Sequence, residues 1–209
     1  MVIEMIVTKI EEFKKGRYLI YINGEKSFVL YSGELRTYHI EEGKKIEPET
    51  LDEIMSEVLP KRAKLRAMNL LMKRRLTEKG LRTKLQDGEY PPDVIEEAIN
   101  YVISYGYVDD EAYARDYVEY NRSSKSVSRM MNDLIAKGID KEVISTIIYE
   151  MDADHESLAD TEIELIKKLL FKKKYDSATT TNEEKQKIYV YLARKGFSSE
   201  RIKQAMRDC

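Results

Sequence analysis

The strongest constraint on this chain is a pattern of five residues that occurs three times. Leu85, Tyr90, Asp93, Ile95 and Ile99 recur as Leu134, Ile139, Glu142, Ile144 and Ile148, and again as Leu192, Phe197, Glu200, Ile202 and Met206. The intervals inside the pattern are identical in every copy. Self-similarity at about 50 residues marks a repeat architecture, in which one supersecondary unit cannot bury its apolar face alone and stacks on its neighbours. Such chains present long surfaces to large partners more often than they enclose small substrates.

Each conserved interval has a physical reason. Leu85, Leu134 and Leu192 close one helix. After a short turn, Asp140 or Ser198 stands where an N-cap accepts a bond from the free N–H groups of the next helix. In the first copy Pro91 takes that place and Pro92 the first helical position, where a missing N–H costs nothing. Asp93, Glu142 and Glu200 put a carboxylate at the positive end of the helix dipole. Apolar residues then follow at steps of three and four, giving one buried stripe per helix. Gly138 and Gly196 occupy the left-handed C-cap position. The first copy has Glu89 there and Gly88 one position earlier, which predicts a differently shaped turn.

The helices that lead into each unit are also legible. Lys61 to about Arg75 carries Leu65, Met68, Leu71 and Met72 at helical spacing, and Thr77 caps the next helix. In the second unit Asp109 or Asp110 is the cap, and Tyr113, Tyr117 and Tyr120 follow at i, i+4 and i+7. That spacing assigns Tyr113 and Tyr117 to core packing, with stacking on exposed bases as the alternative for the tyrosines as a group. The third unit is stretched by a polar loop, Asp176 to Asn182, and Thr181 with Glu184 reads as a capping box.

The first 50 residues are of another kind. Arg17 to Ile22 and Lys26 to Tyr31, rich in β-branched and aromatic residues, flank Asn23-Gly24-Glu25, a strong hairpin signal because Asn and Gly accept positive φ. Ile3 to Ile10 reads as a third strand. Glu34 to His39 and Glu49 to Leu59 read as short helices punctuated by Gly43 and Pro48. The expected organisation is a β-rich module over 1–50 and helical repeats over 51–105, 106–152 and 153–209. The fold class is mainly α, three three-helix units in an elongated curved array behind a small three-stranded module.

Net charge is −2, but its distribution is uneven. Lys61 to Leu85 holds ten cations and one carboxylate, a local charge of +9. Glu150, Asp152, Asp154, Glu156, Asp160, Glu162 and Glu164 form an acidic stretch. Segregated charge suits a charged partner. The lone cysteine, Cys209, excludes an internal disulfide and has no companion for nucleophilic catalysis. No apolar run approaches the ~20 residues that span a bilayer, and the N-terminus lacks the apolar core of a signal peptide. A cytoplasmic chain without membrane attachment is expected. His39 and His155 are isolated, and the carboxylates of Asp109 to Glu111 do not face one way on a helix start, so neither a metal nor a cofactor is expected. Enzymatic activity is not expected.

One segment is more specific. Gly106-Tyr107-Val108-Asp109-Asp110-Glu111-Ala112-Tyr113-Ala114 resembles the signature of the RecX family, regulators of the RecA recombinase. Arg74 to Thr77 and Leu81 to Leu85 upstream agree with it, as does Leu134 to Ile139 downstream. The resemblance covers about residues 60 to 209, and the N-terminal hairpin resembles the extension of RecX proteins from Gram-positive-type bacteria. Tyr113 stands where phenylalanine is usual and Ser126 where glycine commonly begins the next helix. Glu89 and Gly80 match more loosely.

The resemblance implies a non-catalytic protein that lies in the groove of the RecA filament on single-stranded DNA. It also implies suppression of filament growth, ATPase, strand exchange and co-protease activities. Charge and position select Lys73, Arg74, Arg75, Arg82 and Lys84 from the first repeat as partner- or DNA-binding residues. Arg115, Arg122, Lys125 and Arg129 are the candidates from the second. Monomer is the default state. The competing reading is a helical protein that contacts DNA directly without RecA. Against it, Asp93, Glu96, Glu97 and Glu142 on the turn-following helices would face phosphate.

Overall fold

The computed structural model describes residues 4–153 and 157–209. Ile3, at the head of the expected first strand, and Asp154, His155 and Glu156 lie outside the described residues. The chain divides into two compact units, Met1–Asp109 and Asp110–Cys209.

The first unit joins a sheet to the first helical repeat. Strands β1 (Val7–Lys14), β2 (Arg17–Ile22) and β3 (Glu25–Tyr31) pair antiparallel in the order β1-β2-β3. Asn23 and Gly24 take φ of 51° and 86°, as a tight two-residue hairpin turn requires. Ile20, Phe28 and Leu30 are fully buried on the face that meets the helices. Helix α1 (Ser32–Thr37) follows β3, and α2 (Pro48–Glu53) starts with Pro48 at its first position.

The expected break before residue 61 is absent. From α2 the chain runs without interruption through a π turn, Ile54–Val58, into α3 (Leu59–Leu71). Pro60 supplies the cause: it has no N–H to donate to the Ser56 carbonyl and its ring crowds that oxygen, so the turn ahead of it widens. The helix ends at Leu71, short of the expected Arg75. Thr77 accepts from the Gly80 N–H at 3.1 Å and opens α4 (Glu78–Gln86), followed by α5 (Pro92–Ser104). One apolar core unites Ile20, Phe28 and Leu30 of the sheet with Ala63, Leu81, Leu85, Ile95 and Ile99 of the repeat. The β module is therefore docked on repeat one.

The second unit contains two further three-helix repeats: α6 (Asp110–Asn121), α7 (Val127–Ala136) and α8 (Lys141–Ala153), then α9 (Leu158–Lys172), α10 (Asn182–Arg194) and α11 (Ser199–Arg207). Met130, Leu134, Ile144 and Ile147 centre one core, and Ile166, Leu170, Leu192 and Ile202 the other. The Thr181–Glu184 capping box forms as expected. Tyr113 and Tyr117 pack half-buried against the α6–α8 core, whereas Tyr120 is 86% exposed.

The turn of the first repeat is not differently shaped. Glu89 takes the left-handed conformation itself, with φ of 60°, where Gly138 and Gly196 take 93° and 90°. In all three the next residue donates back to the repeat leucine: Tyr90 to Leu85, Ile139 to Leu134, Phe197 to Leu192. The same closure ends α1 at His39, α5 at Gly106 and α9 at Lys174. Non-glycine residues hold it because the residue that follows (Ile40, Tyr90 or Tyr175) packs on a core and pulls the turn shut.

Repeats two and three are fastened by polar contacts. Ser126 Oγ accepts from the Arg129 N–H at 3.2 Å, capping α7, and donates to the Lys195 carbonyl at 2.8 Å. Glu162, only 3% exposed, accepts from the Val127 N–H at 2.8 Å and pairs with Arg201. Glu162 therefore departs from the solvated acidic stretch to which its sequence neighbours assign it.

Four substitutions test these contacts by urea titration. Gly196→Ala strains a backbone at φ of 90° and sets Cβ 2.7 Å from Ser126 Oγ, so it loses more than the ~1–2 kcal/mol of the conformational penalty alone. Lys174→Gly relieves the same penalty and gains about 1 kcal/mol. Glu162→Ala costs about 2 kcal/mol or more; the figure stays below that of a fully buried pair because Arg201 keeps some solvent contact. Glu164→Ala, on the exposed face, changes stability by less than ~0.5 kcal/mol.

Candidate interaction surface

The basic run of the first unit divides into structural and available charges. Arg62 is structural. Its Nη1 pairs with Glu34 at 2.7 Å and its Nη2 donates to the Val29 carbonyl, while the guanidinium lies 4.9 Å from the Tyr31 ring and 5.7 Å from that of Tyr90. Arg17 repeats the arrangement from the sheet side, donating to the Gly88 carbonyl at 3.2 Å beneath Phe13 and Tyr31. These two arginines bind the sheet to the repeat, combining hydrogen bonds with cation–π contact.

Other members of the run are partnered at the surface. Lys64 meets Glu97 at 2.6 Å. Arg82 bridges Glu78 and Glu96, whose carboxylates hold its guanidinium above its ordinary range, and Lys84 meets Asp87 at 3.2 Å. Such exposed pairs are worth ~0–1 kcal/mol and yield easily to a competing anion. Lys73, Arg74 and Arg75 lie exposed in the link after α3. Among the described residues Lys61, Arg66, Lys73 and Arg74 have no ion pair.

In the second unit Arg115 is held between Glu111 at 2.9 Å and Glu150 at 2.5 Å, again above its ordinary range. Arg122 is mostly covered and pairs with Glu119 at 3.1 Å. Lys125 and Arg129 converge on Asp133 at 2.8 and 3.3 Å. Lys125 also donates to the Tyr117 hydroxyl at 2.6 Å, and that hydroxyl donates to Asp133 at 2.8 Å. Hydrogen bonds from Lys125 and Tyr117 hold the Asp133 carboxyl below the ordinary carboxylate range. Of the signature residues, Gly106 takes φ of 69° in the turn that closes α5, Tyr107 is 53% exposed and Ala114 is fully buried. Asp109 stands immediately before α6, Asp110 opens it, and the Tyr113 ring stacks on that of Tyr117 at 6.5 Å.

A second basic region joins Lys125 and Arg129, both sequence candidates, to Arg194 and Lys195, which sequence reasoning missed. Lys125, Arg129, Arg194 and Lys195 line one depression of about 320 Å³, floored by Leu165, Leu169 and Phe197. Lys173, Lys174 and Lys187 gather beside Tyr191 around another of about 280 Å³. The run Lys172 to Lys174 is plain in the sequence, whereas its meeting with α10 depends on the fold. A faint signal existed in the repeat alignment, which equates Lys137-Gly138 with Lys195-Gly196. Among the described residues no cluster of three His, Cys, Asp or Glu side chains could hold a metal ion, and no helix is long and apolar enough to cross a membrane.

Comparison with known proteins agrees with this architecture. The family models for the first, second and third three-helix domains of RecX match residues 63–101, 109–146 and 160–206. The chain is 33% identical over 204 residues to the regulatory protein RecX of Caldanaerobacter subterraneus, covering 97% of this chain and 98% of that one. It is 30% identical over 208 residues to the regulatory protein RecX of Bacillus subtilis, covering 96% and 75%. A crystal structure of a regulatory protein RecX superposes with a TM-score of 0.64 at 25% identity, over 96% of this chain and 99% of that one. Three helical repeats in the same order, matched along nearly the whole length of this chain, place it in the RecX family.

Proposed function

We propose that this chain regulates the RecA recombinase by binding the RecA filament on single-stranded DNA, in its helical groove. It inhibits filament growth and with it ATPase, strand exchange and co-protease activity. The observation that carries the reading is the full-length correspondence with regulatory RecX proteins, repeat for repeat. A series of similar units along the chain suits a partner that is itself a repeating polymer. Each contact can then be weak while the sum is not. On this reading the repeats of 51–105, 106–152 and 153–209 engage the filament, and the β module of 1–50 braces the first of them. The protein works in the cytoplasm as a monomer, without cofactor or catalytic chemistry.

The available cations Lys73 and Arg74, with Arg75 beside them, lead this binding surface. Arg82, Lys84, Arg115, Arg122, Lys125 and Arg129 contribute by exchanging internal carboxylates for those of the partner or for phosphate. Direct DNA binding without RecA is the second reading. The exposed face of α5, the turn-following helix of repeat one, argues against a groove-reading version of it. Glu96 and Glu97 stand there in pairs with Arg82 and Lys64, presenting carboxylates where a reading helix needs donors.

The test is single-stranded-DNA-dependent ATP hydrolysis by RecA of the same organism, titrated with this protein. Inhibition well below one molecule per RecA is expected, and no inhibition at any ratio by folded protein would remove the reading. Lys73→Glu with Arg74→Glu should raise the concentration needed for half inhibition by roughly tenfold or more at low salt. Its melting temperature should stay unchanged, because neither side chain touches the core. Equal inhibition by that double variant would take this segment out of the binding surface.

A further inference from the structure

The depression between repeats two and three has the properties of an anion site. Lys125 and Arg129 reach it from the N-terminal end of α7, and Arg194 and Lys195 from the C-terminal end of α10. Asp133 answers the first two cations. Arg194 and Lys195 have no ion pair among the described residues. Charges of one sign over an apolar floor attract a counter-ion more strongly than the same charges spread in water. The wall is also held in place. Ser126 Oγ ties the Lys195 carbonyl to the start of α7, and Glu162 ties that same start to Arg201 of α11.

The cations continue beyond the depression. Lys187, Tyr191 and Arg194 follow one another along one face of α10, and Lys195 comes next, at its C-cap. The half-buried Tyr191 ring has Lys173 at 4.8 Å and Lys195 at 5.2 Å from its centre. Glu184 and Glu183 adjoin this track and are already engaged, the first in the Thr181 capping box and the second with Lys187 at 2.6 Å. A line of cations interleaved with an aromatic ring is how sequence-tolerant sites follow a single-stranded backbone.

We propose that this depression seats a backbone phosphate of single-stranded nucleic acid, held by Arg129, Arg194 and Lys195, with the strand continuing past Tyr191 toward Lys173 and Lys174. The site is built from the second unit alone, and its binding requires no RecA.

The test is fluorescence anisotropy of a labelled oligothymidylate with the full chain, across a range of salt and without RecA. Arg194→Ala with Lys195→Ala should weaken binding by about tenfold or more. It should also flatten the slope of log affinity against log salt by about 1.4, the value for two lost phosphate contacts on a single strand. Lys168→Ala with Lys203→Ala removes the same charge from exposed positions elsewhere in the unit and should leave the slope unchanged. Equal losses in the two double variants, or none in the first, would overturn the proposal. Competition by a free nucleoside triphosphate at equal phosphate concentration would assign the phosphate to a soluble nucleotide and reject the strand. Unchanged oligothymidylate binding together with lost binding of a labelled polyglutamate peptide would assign the depression to an acidic protein instead.

Discussion

The hydrogen bond from the residue after the left-handed turn back to the buried leucine of the preceding helix organises every repeat. It joins Tyr90 to Leu85, Ile139 to Leu134 and Phe197 to Leu192, and in each case both partners are buried. The bond reverses the chain within a few residues and delivers an apolar side chain into the core just before the next helix begins. The direction of that helix, and so the position of its apolar stripe, follows from this closure. Glycine makes the closure easier but does not cause it, as Glu89 and Lys174 show by adopting φ of 60° and 54°. Burial of the following residue at ~25 cal/mol per Å² outweighs a left-handed penalty of ~1–2 kcal/mol.

The same economy governs the charged residues. Clusters of cations in the sequence separate in space into mortar and surface. Arg62 and Lys73 belong to one basic run, yet the first is sealed between Tyr31, Tyr90 and Glu34 while the second is exposed. Glu162 and Glu164 are two residues apart, and one is buried at the junction of two repeats while the other pairs with Lys167 in solvent. The helical period decides this: positions two apart point to different sides of the helix, so composition in a window says little about what solvent sees.

Local signals were legible where the chemistry is local. Thr77, Ser126, Thr181 and Ser198 cap the helices they precede, and Asn23-Gly24 turns the hairpin. The π turn ahead of Pro60 and the early end of α3 were not legible. The first depends on how a helix already anchored at both ends absorbs a missing donor. The second depends on Thr77, whose extended backbone must begin the next helix against the same core. The candidate surface was half legible for the same reason. The exposed link after α3 could be read from its charge, whereas the depression lined by Lys125, Arg129, Arg194 and Lys195 gathers residues some 70 positions apart.

By itself, then, the sequence determined the repeat, its helices and their caps, because each rests on interactions spanning a few residues or on a pattern of spacing; the family entered through the resemblance of the Gly106–Ala114 segment. The tertiary structure decided which charges are spent inside the protein and which remain available. It joined the β module to repeat one through Arg17 and Arg62, and repeat two to repeat three through Ser126 and Glu162. Those contacts depend on how faces of different helices meet, and that meeting is set by packing over the whole unit, which no local window contains.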